Sequence, residues 1–474
     1  MMRKLSQTSI LQHLAECTAK NWLGDSHSQE LLDLTEKRLK RLRSLQLNST
    51  TKLNIFVVET EPVKFMSALL AGIIAKVDIF LCNPNWQEQE WHQVLNLVEP
   101  DVIFADETIK KLITEIKASC HNSVKQQILS NEECAIMIPT GGTSGKIKFA
   151  IHSLSTLTAS VIGFCDYFKT LTVNSFCLLP LYHVSGLMQF FRSFLTQGRL
   201  YIMPYKVLKQ DIKVDIIIQD FFISLVPTQL QFLIESNPLW LAKFQTVLLG
   251  GAPATRSLLN KSREYNIPLA PTYGMTETAS QIVTLKPDDF LKGNNSSGKI
   301  LPHARITIVD DCQNKNNNKK VGIINIKSDS LCLGYYPDLF SQSKTFVTDD
   351  LGWFDSQGYL HIVGRNSHTI ITGGEKVFPT EVEAAILATK LVTEVCVIGI
   401  SDRKWGKIVT ALYVPTKLGY NRDLIKQQLQ AKISKYKHPK YWIEVEQIPH
   451  SDRGKIDYQQ VKSIAQYWLE KQSK

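Results

Sequence analysis

From residue 53 onward the apolar positions fall in short blocks separated by amphipathic stretches. Residues 53–58, 77–82 and 101–105 are apolar runs of strand length, and between them 63–71 and 86–97 read as helices. Strands alternating with helices at this pitch predict βαβ units and a largely parallel sheet. The alternation resumes beyond residue 175, with strands predicted at 176–179, 200–203, 222–226 and 246–249. Ahead of it, a stretch rich in Leu and Lys/Arg predicts a helix over 30–45. Strand-like runs at 305–309 and 321–326 flank a low-complexity island, NKNNNKK at 314–320, which reads as a solvated hairpin tip with a basic patch as the alternative.

A strand predicted at 359–363 gives way to a polar stretch near 364–367, after which a fresh α+β pattern begins. It has helices at 381–388 and 422–433 and strands at 395–400 and 409–414. The expected organisation is therefore α/β: a large N-terminal domain of αβ-layered sheets over 1–366 plus a small α+β domain over 367–474. A chain of 474 residues is long enough for two or three domains.

Composition narrows the classes. With 44% hydrophobic and 21% charged residues the chain suits a folded protein. An excess of 54 Lys+Arg over 44 Asp+Glu favours anionic ligands, but is too dilute over this length to indicate nucleic acid. No apolar run reaches the roughly 18–20 residues of a membrane span, and the N-terminus lacks the apolar core of a signal peptide. The nine cysteines are odd in number and scattered, with no CxxC pair, so a reducing cytoplasm is the simple expectation.

Five motifs carry chemistry. The first is Pro139-Thr140-Gly141-Gly142-Thr143-Ser144-Gly145-Lys146-Ile147-Lys148, whose backbone N–H groups and hydroxyls can wrap phosphate oxygens. It is not a Walker A loop: the places for the first Gly and the final Ser/Thr hold Thr140 and Ile147. The second is Tyr273-Gly274-Met275-Thr276-Glu277-Thr278, preceded by Gly250-Gly251-Ala252; it offers a ring for a purine, a hydroxyl for a phosphate and a carboxylate for Mg²⁺. The third runs from Thr348 to Asp355 and on to Gly364-Arg365, with acidic groups suited to a ribose. The fourth runs from Ile371 through Thr372-Gly373-Gly374-Glu375 to Pro379, with Glu381 and Glu383, and the fifth runs from Pro449 through Asp452-Arg453-Gly454-Lys455 to Ile456. Each of the last three alone reads as a surface turn; their joint order does not.

In that order the motifs resemble the adenylate-forming superfamily of acyl-CoA synthetases, luciferases and peptide-synthetase adenylation domains, over roughly residues 50–465. Three passages resemble its o-succinylbenzoate–CoA ligases of menaquinone and phylloquinone biosynthesis: residues 181–187 with Arg192, residues 224–230, and Gly364-Arg365-Asn366-Ser367 running into 371–379. The resemblance implies an acid–CoA ligase that uses ATP and Mg²⁺ to form an acyl-adenylate and pyrophosphate, then a thioester with CoA. It also implies that the small C-terminal domain is mobile.

By resemblance, Thr140, Gly141, Gly142, Thr143, Ser144, Gly145 and Lys146 hold the phosphates, Glu277 ligates Mg²⁺, and Thr276 bonds the α-phosphate. Tyr273 lies against adenine with Gly274 and Met275, and the backbone of Gly250, Gly251 and Ala252 borders the base. Asp350 and Arg365 match the ribose pair, Lys455 matches the catalytic lysine, and Ser367 matches the hinge. Thr372, Gly373, Gly374 and Glu375 belong to the CoA channel. Removing one preorganised charge partner such as Lys455 typically costs on the order of 10²–10³ in rate.

The departures are Ile147 for the usual Pro, Phe149-Ala150 for a small Gly, and Asp349 for the common Gly before the ribose aspartate. On the acid side, the segment 179–186 has no carboxylate to hold an α-ammonium, which disfavours amino acids. His183, Ser185 and Arg192, converging through a turn at Gly186, read as a cradle for a keto-diacid; a structural salt bridge for Arg192 is the alternative. Another aryl or medium-chain acyl-CoA ligase, and a stand-alone protein loading a carrier, remain open readings. The expected partners are the acid, ATP and CoA, with no nucleic acid and no membrane span; a homodimer is left open.

Overall fold

The computed structural model describes residues 7–23, 27–118, 128–130, 133–141, 146–208, 217–310, 320–340, 345–402, 405–416, 422–430, 432–450 and 456–472. The chain divides into two compact units. The first comprises residues 1–251, 260–305 and 327–346; the second comprises 252–259, 306–326 and 347–474. This division by contacts draws 306–326 and 347–366 together with the C-terminal segment. The boundary expected at 366/367 falls inside this second unit.

The first unit is built on two seven-stranded sheets. In one, the apolar runs form parallel strands Asn54–Val57, Asp78–Leu81 and Val102–Phe104, and Asp78–Leu81 pairs parallel with Ala135–Gly141. The last of these turns back, antiparallel, into Ile147–Ser153. Between the first two strands runs the helix Pro62–Ala75, which begins on Pro62 with the Glu61 carboxylate accepting from Val63 N and Lys64 N. It ends at Lys76 in the left-handed region (φ 62°). All its residues from Phe65 to Ala75 are buried, as expected of a helix lying inside a layered core. In the second sheet, Asn174–Cys177, Leu200–Ile202, Phe221–Leu225, Thr246–Leu249 and Leu269–Met275 are parallel neighbours, and Ser280–Thr284 returns antiparallel beside the last. One apolar cluster joins both sheets through Leu69, Ile73, Ile136, Phe164, Phe190 and Phe222.

The second unit contains a sheet of four strands and one of five. In the five-stranded sheet, Val392–Asp402 and Gly406–Pro415 alternate their faces. Val397, Val409 and Ala411 pack with Val382, Ile386 and Leu429 on one side; Cys396, Ile398 and Leu412 pack with Val461 and Ala465 on the other. The architecture is the α/β arrangement expected from the sequence, with a smaller α+β element at the C-terminal end. The island at 314–319 lies outside the described residues.

Candidate active site

In the first unit, the phosphate-loop candidates sit on the hairpin of Ala135–Gly141 and Ile147–Ser153, where Thr140 pairs with Lys148 and Gly141 with Ile147. Gly142, Thr143, Ser144 and Gly145 lie outside the described residues, while Lys146 is exposed at the base of the return strand. The departure Phe149 does not face the loop. It is fully buried, edge-on to Phe80 at 5.3 Å and to Trp86 at 6.2 Å, so its bulk is spent on the core.

Leu269–Met275 leads directly into a 3-10 turn, Thr276–Thr278, and then into Ser280–Thr284. Two non-glycine residues of this reversal, Ala279 (φ 49°) and Ser280 (φ 91°), occupy the left-handed region. Such geometry persists only where neighbours enforce it. Ser160 Oγ donates to Ala279 O at 2.7 Å, Ser330 Oγ to Thr278 O at 3.0 Å, and Cys332 N to Glu277 O at 2.8 Å. His152 Nε2 lies 2.8 Å from Thr276 O, so this nitrogen carries the proton, and Nδ1 lies 3.0 Å from Thr156 Oγ1. Full burial pushes the His152 pKa down to about 4, keeping the ring neutral. Gly274 is required here: a Cβ would meet Ser280 O at 2.1 Å.

This bracing holds Glu277, whose residue is only 8% exposed. Its Oε1 accepts from Tyr335 Oη at 2.6 Å and from Thr140 Oγ1 at 3.4 Å. Lys148 Nζ stands 5.2 Å from the centre of the Tyr335 ring. A carboxylate sunk among neutral hydroxyl donors, with no cation paired to it among the described residues, suits a hard divalent ion held by one protein carboxylate. No group of three His, Cys, Asp or Glu that could hold a metal occurs among the described residues, so phosphates and waters would have to complete such a site. Tyr335 and His152 were not singled out by the sequence. Each acts through a partner more than fifty positions away, and neither lies in a motif.

Tyr273 and Gly274 flank a register shift between this strand and Ser280–Thr284. At Gly250 a Cβ would come within 2.6 Å of Thr272 Oγ1, which itself donates to Leu249 O at 3.1 Å. Bare backbone at that strand end suits the flat face of a base.

His183 is the N-cap of a continuous helix, Val184–Leu195. The expected turn at Gly186 is not there: the chain turns at Pro180–His183, and Gly186 lies inside the helix. A Cβ at Gly186 would strike Pro180 O at 2.2 Å, so the glycine admits that turn against the helix rather than breaking it. Ser185 and Arg192, seven positions apart, therefore share one helix face, with Gln189 between them. Gln189 Nε2 donates to Ser185 O at 2.9 Å. Arg192 is 2% exposed and makes no ion pair among the described residues. Its Nη2 donates to Ser280 Oγ at 3.1 Å and Gln281 Oε1 at 2.9 Å, and its guanidinium lies over Phe164 at 4.3 Å. Nε has no partner, and burial pushes the pKa down to about 10. A structural salt bridge thus does not account for this residue.

In the second unit, the strand Thr345–Phe354 pairs with Leu360–Arg365 so that Asp350 is opposite Arg365, with Arg365 Nε 3.5 Å from Asp350 Oδ1. Asp350 N donates to Thr348 Oγ1 at 3.0 Å, and that hydroxyl donates to Ile324 O at 2.9 Å. Ser367 follows in a 3-10 turn, Asn366–His368. The CoA-channel candidates form a tight hairpin of Ile370–Thr372 and Glu375–Val377, turning through Gly373 (φ 58°) and Gly374 (φ 85°). Gly373 N donates to Trp405 O at 2.9 Å. Ala252 belongs to this unit by its contacts, and Lys455 lies outside the described residues.

The AMP-binding enzyme family matches residues 30–336, and the AMP-binding enzyme C-terminal domain matches 381–455. The chain is 31% identical to the 2-succinylbenzoate–CoA ligase of Listeria innocua over 407 residues, covering 82% of this chain and 84% of that one. It is 32% identical to the enzyme of that name from Geobacillus sp. over 457 residues, covering 91% and 92%. Among solved structures it resembles the o-succinylbenzoate CoA synthetase of Bacillus subtilis in complex with the acyl-adenylate intermediate OSB-AMP. That match has a TM-score of 0.77 at 26% identity and covers 92% of this chain and 93% of the other. The ATP-bound MatB of Rhodopseudomonas palustris shares the fold at a TM-score of 0.77 and 21% identity, with 96% and 98% covered. Motifs, architecture and relatives agree that the chain belongs to the AMP-binding, adenylate-forming enzyme family.

Proposed function

We propose that this chain is an ATP-dependent 2-succinylbenzoate–CoA ligase acting in menaquinone or phylloquinone biosynthesis. The observation that carries the choice of acid is Arg192, a buried cation with neutral partners only, set in a family whose relatives of that name cover most of the chain. A dianionic keto-acid supplies the charge that the fold does not.

The chemistry to be helped is attack of one anion on another, so the work is positioning and charge neutralisation. Thr140 and the loop through Lys146 would wrap the outer phosphates, Glu277 would hold Mg²⁺, and Thr276 would bond the α-phosphate. Mg²⁺ supplies neutralisation of polyphosphate charge when bound. Tyr273, Gly250 and Gly251 would border the adenine, and Asp350 with Arg365 would hold the ribose. Lys455 would meet the charge that builds as the carboxylate attacks and pyrophosphate leaves. His183 and Ser185 would line the acid pocket beside Arg192. A turn of the C-terminal segment (367–474) about Ser367 would then replace Lys455 by the hairpin of Thr372–Glu375 for attack by the CoA thiol. ATP, CoA and the acid are the partners of this reading, which places the reaction in the cytoplasm and calls on no nucleic acid. No described helix is long and apolar enough to cross a membrane.

The test is pyrophosphate release and acyl-CoA formation with ATP, Mg²⁺ and CoA over a panel of 2-succinylbenzoate, benzoate, octanoate and amino acids. A strong preference for the first, lost in Lys455→Ala, supports the reading. Preference for a monoacid, with Arg192→Ala indifferent, removes the quinone-pathway assignment and keeps the family chemistry. Adenylation without transfer to free CoA points instead to a carrier-loading protein.

A further inference from the structure

Asp349 stands where the superfamily commonly has glycine, and successive residues of its strand go to different partners. Asp350 is paired with Arg365, whereas both carboxylate oxygens of Asp349 are taken by Ser367. Ser367 N donates to Asp349 Oδ1 at 3.0 Å and Ser367 Oγ to Asp349 Oδ2 at 2.5 Å. Gripping the amide and the hydroxyl of one residue fixes its φ and χ1 together: a swing about N–Cα carries Oγ away while the N–H stays. A second contact spans the same point. Thr380 Oγ1, thirteen positions after Ser367, donates to Val363 O, four positions before it, and the Thr380 hydroxyl stands 3.4 Å from where a Cβ on Gly364 would lie. The two sides of Ser367 are thus tied directly, and a rotation there breaks the Thr380–Val363 bond.

We propose that Asp349 and Thr380 form a clasp across Ser367 that sets the balance between the adenylating and thioester-forming arrangements of the C-terminal segment. This rests on the reading that Ser367 is the pivot. Asp349 is exposed, so its charge costs little to hold, and the bonds it makes are to groups that water can satisfy once the clasp opens. A clasp of this kind biases an equilibrium without blocking it. Asp349 and Thr380 are positioning residues: neither is called on to touch ATP, acid or CoA.

The experiment measures the two half-reactions separately in the full chain: acid-dependent ATP–pyrophosphate exchange, and single-turnover thioester formation from preformed acyl-adenylate and CoA. Asp349→Ala and Thr380→Val are each expected to shift the ratio of the two rates in the same direction by roughly five- to tenfold, the weight of one or two ordinary hydrogen bonds. KM for ATP and acid should stay unchanged, and the melting temperature should hold. A ratio that stays within twofold in both variants, or opposite shifts, overturns the clasp. If stability falls while the ratio stays, Asp349 is only a cap on the 3-10 turn and the proposal is likewise overturned. Ser367→Pro tests the pivot itself. If it leaves the ratio unchanged, pivot and clasp fail together; if it separates the half-reactions while the other two variants do not, the clasp alone fails.

Discussion

Tyr335 donates its hydroxyl to Glu277 Oε1 at 2.6 Å, across 58 positions of sequence. Burial, with the Glu277 charge beside it, pushes the Tyr335 phenol well above its ordinary pKa, so it remains a donor at every working pH. Tyr335→Phe should raise the Mg²⁺ concentration needed for half-maximal pyrophosphate release by roughly tenfold, as loss of an outer-shell partner does. Saturating Mg²⁺ should restore most of the rate. A Mg²⁺ titration of wild type and variant settles it, and an unchanged midpoint removes Tyr335 from the metal side.

Arg192 is a buried cation with an unpartnered Nε. A charge in that state costs stability, so Arg192→Met should unfold within about 2 kcal/mol of the wild type or above it. The same variant should raise KM for 2-succinylbenzoate at least tenfold while KM for ATP stays put. Chemical denaturation together with steady-state kinetics checks both halves. Severe destabilisation would mean that Arg192 holds the fold rather than the acid.

His152 is neutral in the folded chain, its pKa lowered from 6.5 to about 4 by burial. Between those values the unfolded chain binds the proton and the folded chain does not, so stability falls as pH falls through the window. The contribution is on the order of 3 kcal/mol by the lower end. In His152→Gln the slope of unfolding free energy between pH 6.5 and 4 should flatten, read from urea titrations at several pH values.

Glu383 behaves in the opposite sense. Burial raises its pKa from 4.5 to about 7, although its Oε1 accepts from Val397 N at 2.8 Å. Between pH 4.5 and 7 the folded chain keeps a proton that the unfolded chain has released, so stability falls as pH rises. Glu383→Gln keeps the acceptor and removes the charge. It should melt several degrees above the wild type at pH 8 and nearly coincide with it at pH 5.

Much of the layered fold was legible because its strands are short, apolar and bounded by helices. The helix expected at 63–71 runs over Pro62–Ala75, and the strand runs near 54, 78, 102 and 246 are found as such. Gly186 shows where local reading stopped. A glycine after Val184-Ser185 reads as a breaker, yet here it sits in a helix because Pro180 O needs the space a Cβ would fill. The motif residues could be named from their chemistry, but not the groups that aim them. His152 is one histidine in a strand, and the short hairpin bearing Tyr335 has no periodicity to announce it. Asp349 stood out only as a departure; its partner Ser367 lies across the sheet.

The segment from Thr276 to Gln281 joins the two proposed recognition tasks within six residues. Glu277 faces the hydroxyls of Thr140 and Tyr335, while Ser280 and Gln281 hold the Arg192 guanidinium. Within this segment Ala279 and Ser280 lie in the left-handed region, where the backbone has little slack. On the proposed reading, retuning the acid pocket through Ser280 or Gln281 also handles the other end of a short, stiff segment that carries the carboxylate assigned to Mg²⁺. If those roles hold, acid range and metal affinity are inherited together, and a variant selected for a new acid should be re-examined for its magnesium requirement before its specificity is believed.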